Sequence, residues 1–199
     1  MAQASPDAAS PIGRAAISPR EAGAGAGHET IRYASRVCPL GEVLIAVSDK
    51  GVCTLSLGDD AEDLLHGLRK SFPRARLIDA GRGIARVADA ALHLIEEPQA
   101  EFDFPLDLRG TKFQRRVWAA LRKIPAGATA SYRDIATRIG APKAVRAVAN
   151  ACGANKIVVA IPCHRVIQSD GGLGGFGCGV ARKRALLDRE TKPRASRPT

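Results

Sequence analysis

The sequence predicts a small α/β unit over residues 30–108, followed by a mostly α unit over residues 109–191 that contains a helix-turn-helix. Three observations lead there. Two β-rich runs flank Asp49, Lys50 and Gly51 in EVLIAVSDKGVCTLSLG, the pattern of a hairpin. Two stretches beyond them carry apolar residues at helical spacing. In the second half, SYRDIATRIGAPKAVRAVANACGAN reads as a helix, a break at Gly140 to Pro142, and a second helix from about Lys143 to Cys152.

Taken in order, residues 1–29 are rich in Ala, Gly, Ser and Pro with little that is large and apolar, which predicts a disordered tail. Its prolines and acids oppose the amphipathic helix of a transit peptide. After the hairpin, Asp60 caps a helix carrying Leu64, Leu65 and Leu68, and RGIARVADAALHLIEE repeats such a stripe. His66 and His93 fall in these helices without partners that would make them metal ligands. Thr111 caps a helix whose Phe113, Val117, Trp118 and Leu121 form one apolar face, and Pro125 and Gly127 end it. Ser131 caps the next, and GVARKRALLDRE forms a last helix closed by Glu190. Residues 192–199 form a short basic tail, also expected to be disordered.

The net charge of +10 is unevenly spread. Residues 111–199 hold 18 Lys+Arg against 4 Asp+Glu, while residues 1–110 hold 12 against 16. A segregated basic surface suits a polyanion such as nucleic acid, although a solubilising surface has the same composition. Five cysteines with no CxxC pair suggest neither a disulfide framework nor a zinc ribbon, so reduced thiols in a cytoplasmic protein are expected. Apolar runs such as KIVVAIPC are too short to span a membrane.

Two segments bear on chemistry. The second helix of the helix-turn-helix carries Ala144, Ala147, Ala149 and Ala151, with Arg146 as its one long side chain among them. A helix that thin suits either the minor groove of DNA or close internal packing. In VVAIPCHRVIQS, Cys163 follows Pro162 where a strand ends and the chain turns, with His164 adjoining. A free thiol is only a few per cent thiolate at neutral pH, so a reactive one needs a base, a cation or helix-terminus amides nearby. Adjacent residues in extended chain point to opposite sides, so direct contact between Cys163 and His164 is not implied.

The motif IPCHRV, with SYRDIATRIGAPKAVRAVANACGANK before it and GGLGGFG after it, resembles the O6-alkylguanine-DNA alkyltransferases, also called methylated-DNA–protein-cysteine methyltransferases. The resemblance covers about residues 30 to 190 and is close to the C-terminal domain of the bacterial adaptive-response protein. It implies a ribonuclease H-like N-terminal subdomain and a winged helix-turn-helix, in a monomer that needs no cofactor and no metal. Its partner would be double-stranded DNA containing alkylated bases. It further implies direct-reversal repair, in which Cys163 accepts the alkyl group of O6-methylguanine, and of O4-methylthymine, once per molecule.

By the same resemblance, His164, through a water, and Glu190 take the thiol proton. Tyr132 and Arg146 flip the base out, on a DNA face that includes Ala147 and Ala151. Val166, Phe176 and Gly177 border the base pocket, and Asn155 braces the turn before the active segment. A buried acceptor thiol requires such extrusion on physical grounds, because O6 is inaccessible within stacked duplex. Phe176 departs from the family's usual tyrosine, and Gly177 and Cys178 leave little bulk at the pocket edge. No four-cysteine zinc module precedes the domain in this sequence. Two rivals remain: a non-repairing binder of alkylated bases, against which Cys163 argues, and a cysteine hydrolase, which leaves the basic half without a purpose.

Overall fold

The computed structural model describes residues 28–191, so the predicted tail at 1–29, apart from His28 and Glu29, and the predicted tail at 192–199 lie outside the described residues. The Glu29 carboxylate accepts a hydrogen bond from Arg109 at 2.8 Å, tying the residue before the first strand to the linker.

The first half is built on four strands: β1 (Thr30–Cys38), β2 (Gly41–Ser48), β3 (Gly51–Gly58) and β4 (Arg76–Asp79). Their order is β3-β2-β1-β4, antiparallel except for the parallel pairing of β1 with β4. The predicted hairpin is β2–β3. Helix α1 (Ala61–Ser71) starts where expected, with Asp60 accepting from the amides of Glu62 and Asp63 at 2.8 and 3.0 Å. Its Leu68 packs with Ile31, Leu44, Ala46 and Cys53 on one face of the sheet. The opposite face is covered by α2 (Ala85–Glu96), which enters through a single 3-10 turn at Gly81–Ile84.

The outer edge of β3 ties the two halves together. The linker runs along it, with Val52 N–H donating to Pro105 O and Asp107 N–H to Val52 O, both at 2.8 Å. Gly51 is required here: it sits at φ +134°, and a Cβ would lie 2.2 Å from Pro105 O. Further along the same edge, Leu55 N–H donates to Lys156 O at 2.8 Å and Val158 N–H to Leu55 O at 2.9 Å. An unpaired strand edge is thereby covered, and the segment leading to Cys163 is anchored to the sheet.

The second half contains α3 (Lys112–Leu121), β5 (Ala130–Ser131), α4 (Tyr132–Arg138), α5 (Val145–Gly153), β6 (Val166–Ile167) and α6 (Val180–Glu190). Thr111 with Gln114, and Ser131 with Asp134, form capping boxes at the starts of α3 and α4. Val117, Trp118 and Leu121 are buried as predicted, each worth about 1.5–3 kcal/mol in transfer from water. Trp118 also donates its indole N–H to Ala151 O at 2.8 Å, locking α3 against α5. One apolar cluster runs from Ala34 to Leu186, across both halves.

The expected strand ahead of Cys163 is a correction. Residues 157–161 make isolated bridges to Leu55 and to one another rather than a regular strand, and Val159 adopts φ +68°. A β-branched residue in that region costs on the order of 1–3 kcal/mol, so neighbouring contacts must hold it there. Asn155 supplies them: its Oδ1 accepts from Ile157 N–H and its Nδ2 donates to Ile161 O, each at 2.9 Å.

Candidate active site

Cys163 opens a 3-10 helix, Cys163–Arg165, rather than closing a strand. It is 6% exposed, and its Sγ accepts from Asn155 Nδ2 at 3.1 Å. The asparagine that braces the turn therefore also touches the thiol, a contact the sequence reading did not include. Burial pushes the Cys163 thiol up to about 11, with the Asn155 hydrogen bond and the charge of Lys183 working the other way. The resting group is a thiol, and its proton must be removed for it to react. In DNA-free protein, iodoacetamide should label Cys163 on the order of 100-fold more slowly than a free cysteine at neutral pH. The rate should climb as pH approaches 11. Peptide mapping that finds labelling at the free-thiol rate would contradict control by burial.

His164 is fully buried and makes no hydrogen bond to Cys163; its Nε2 lies 2.7 Å from Glu190 Oε1. Nδ1 is buried without a hydrogen-bond partner among the described residues. Burial holds the imidazole below its usual value, against the pull of the Glu190 hydrogen bond. A neutral ring that gives its Nε2–H to Glu190 keeps a free lone pair on Nδ1, the form a general base needs.

Glu190 is not a solvated helix end. It is 3% exposed and accepts from His164, from Gly127 N–H at 3.1 Å, and from Arg165 Nε at 2.9 and 3.1 Å. Burial would raise its carboxyl, but those hydrogen bonds and the adjacent charges hold it below the ordinary carboxylate value. Arg165 and Lys183 are the buried cations that sequence reasoning missed. Lys183 is fully buried and its ammonium donates to Val166 O and Leu173 O, fastening the glycine-rich loop to β6. In the sequence it stands among Arg182 and Arg184 on a basic helix, which offers no signal of burial.

Cys163 borders two clefts. One, of about 300 Å³, is lined by Tyr132, Asn150, Cys152, Gly175, Phe176 and Gly177, among others. The other, of about 290 Å³, opens toward α1 past Thr54, Cys152 and Cys178. A larger cavity of about 540 Å³ between α1 and residues 155–161 does not include Cys163, so size alone does not locate the chemistry. Tyr132 begins α4 and stands against the loop, where a Cβ on Gly174 would come within 3.1 Å of its hydroxyl. The Phe176 ring meets His164 edge-on, with centroids 6.4 Å apart.

On α5, Arg146 and Ala147 are exposed. Ala151, expected on the same face, is 1% exposed, which corrects that assignment. It belongs to the Val148, Ala151 and Cys152 stripe that packs inward, and Trp118 takes its carbonyl. One face of this helix packs closely inside, while the other leaves Arg146, Ala147 and Asn150 exposed. Val166 is buried, and its carbonyl already accepts from Lys183, leaving one lone pair for any ligand.

Among the described residues, no cluster of His, Cys, Asp and Glu could hold a metal ion, and no helix is long and apolar enough to cross a membrane.

A family described as 6-O-methylguanine DNA methyltransferase, DNA binding domain, matches residues 112–192. The Escherichia coli protein named bifunctional transcriptional activator/DNA repair enzyme Ada is 46% identical over 162 residues, 81% of this chain and 46% of that protein. The chain spans about half the length of several curated relatives it matches. The inducible methylated-DNA–protein-cysteine methyltransferase of Bacillus subtilis is 41% identical over 131 residues, 66% of this chain and 73% of that protein. Among solved structures, Mycobacterium tuberculosis OGT in complex with DNA aligns with a TM-score of 0.68 and 38% identity, over 81% of this chain and 92% of that one. Identity at this level over most of the length of two such proteins shows that the chain belongs to the methylated-DNA–protein-cysteine methyltransferase family.

Proposed function

We propose that this protein repairs alkylated duplex DNA by moving the methyl group of O6-methylguanine, and also of O4-methylthymine, onto Cys163. The observation that carries the proposal is a buried thiol at the edge of a cleft, one residue from a buried His164–Glu190–Arg165 chain. The Cys163 proton passes to His164 Nδ1 through a bridging water, and the thiolate attacks the methyl carbon in line with the C–O bond. The S–C bond forms as the C–O bond breaks. Tyr132 donates toward guanine N3 as negative charge develops on the purine. The thioether is stable, so each molecule acts once.

The base reaches Cys163 only outside the helix. In this reading α4 and α5, with the β5–β6 pair as wing, form the DNA-binding helix-turn-helix, and the sheet subdomain is ribonuclease H-like. Arg146, exposed on α5, fills the vacated space, with Ala147 giving close approach to the minor groove. The boundary between the subdomains is placed at 108/109. The amide of Gly177 and the carbonyls of Cys163 and Val166 hold the extruded guanine beneath the loop carrying Phe176.

Intact-mass spectrometry after incubation with methylated duplex tests the proposal. One added methylene per molecule, mapped to Cys163, is expected; an unchanged mass from folded protein overturns it. Arg146→Ala should slow transfer from duplex on the order of tenfold or more while leaving transfer from free O6-methylguanine base unchanged. Equal losses on both substrates would count against base extrusion.

A further inference from the structure

We propose that Arg165 is a positioning residue for this transfer: anchored by carbonyls from two other segments, its guanidinium fixes Glu190 as a charged partner of His164. The inference rests on the methyl-transfer reading above and adds a residue to it.

The guanidinium is held on three sides. Nη1 donates to Ile124 O at 2.6 Å, beyond the end of α3, and Nη2 to Pro98 O at 3.3 Å, beyond the end of α2. Nε then faces both Glu190 oxygens at 2.9 and 3.1 Å. At 8% exposure, with both terminal nitrogens engaged, the group cannot swing away from the carboxylate without breaking those bonds. A planar fork directs donors from three separate nitrogens toward acceptors on different segments, whereas an ammonium presents all its donors from one nitrogen.

The charges around the pair act in one direction. Glu190 faces His164 and Arg165 from the 3-10 helix and the Gly127 amide from the turn after α3, while Lys183 on α6 acts on His164. The positive charge of Arg165 opposes protonation of His164 and of Glu190 alike. Removing it therefore favours the protonated, inactive form of both. The base that must accept the Cys163 proton is then lost at a higher pH than in the native protein. A residue that merely supported the fold would lower the rate evenly across pH.

The test measures the rate of methyl transfer from methylated duplex to Cys163 by intact mass across pH, with circular dichroism at each pH to confirm folding. Arg165→Met, which keeps bulk and loses charge, should move the acid-side midpoint upward by about one pH unit, a tenfold loss below it. Arg165→Lys, which keeps charge and loses the fork, should hold the midpoint near the native value even if its rate falls. An unmoved midpoint in folded Arg165→Met overturns the inference, and so does a Lys variant that shifts as far as Met. Should the Met variant not fold, Arg165→Gln takes its place, and the Lys midpoint alone still decides against the inference if it shifts. Native protein that gains no mass overturns the methyl-transfer reading itself, a result distinct from these.

Discussion

Cys163→Ser is expected to remain folded, to bind methylated duplex, and to gain no mass from it. The substitution changes little in volume at a site 6% exposed, and Asn155 Nδ2 still finds an acceptor. What it removes is nucleophilicity. Even raised to about 11, the native thiol is a much stronger acid than an alkyl hydroxyl, and the serine oxygen is a harder nucleophile toward a methyl carbon. Cys152 lines both clefts beside Cys163 and Cys178 lines the second, so peptide mapping must accompany the mass measurement. A methyl group appearing on Cys152 or Cys178 of the serine variant would mean that the acceptor had been misassigned. Retention of transfer at the native rate with no cysteine modified would sink the mechanism altogether.

Glu190→Gln should damage both stability and reaction. Removing one partner of a buried ion pair leaves the other uncompensated, here the Arg165 guanidinium, at a cost of about 3–5 kcal/mol. Denaturant unfolding would read this directly, and a loss below about 1 kcal/mol would contradict the proposed energetics. The pH dependence should change as well. The native Glu190 carboxyl lies below its reference value of 4.5, so it contributes stability above that pH that is lost as pH falls through the folded value. His164 is likewise depressed from 6.5, and its contribution declines as pH falls below that point. The glutamine variant should lose the carboxylate part of this dependence and retain the imidazole part. Its transfer rate should fall roughly 100-fold or more, the usual scale for loss of general-base assistance. Unchanged duplex affinity would assign that loss to chemistry rather than binding.

Local signals carried much of the fold. The β2–β3 hairpin, the caps at Asp60, Thr111 and Ser131, and the buried face of α3 were legible because each depends on neighbours within a few residues. β1 and β4 were not. β1 is a half-buried strand carrying Arg32, Ser35 and Arg36, and its pairing with β4 joins residues more than forty positions apart. The strand expected before Cys163 failed for a related reason. IVVAI has the composition of a strand, but its backbone partners lie on β3 and on Asn155, which turn it instead.

The candidate site divides along the same line. Cys163, His164 and Asn155 lie within nine positions in sequence, and motif reading alone singled them out together with Tyr132, Arg146 and Glu190. Their states were decided by tertiary contacts: a thiol raised by burial, an imidazole with Nδ1 unpartnered, and a helix-end glutamate turned inward onto Arg165. Ala151 shows the limit from the other side, since its orientation depends on where Trp118 arrives from α3. Residue identity, capping and periodicity are properties of the chain itself. Burial and charge pairing arise only when distant segments meet, and they shift the protonation of Cys163, His164 and Glu190.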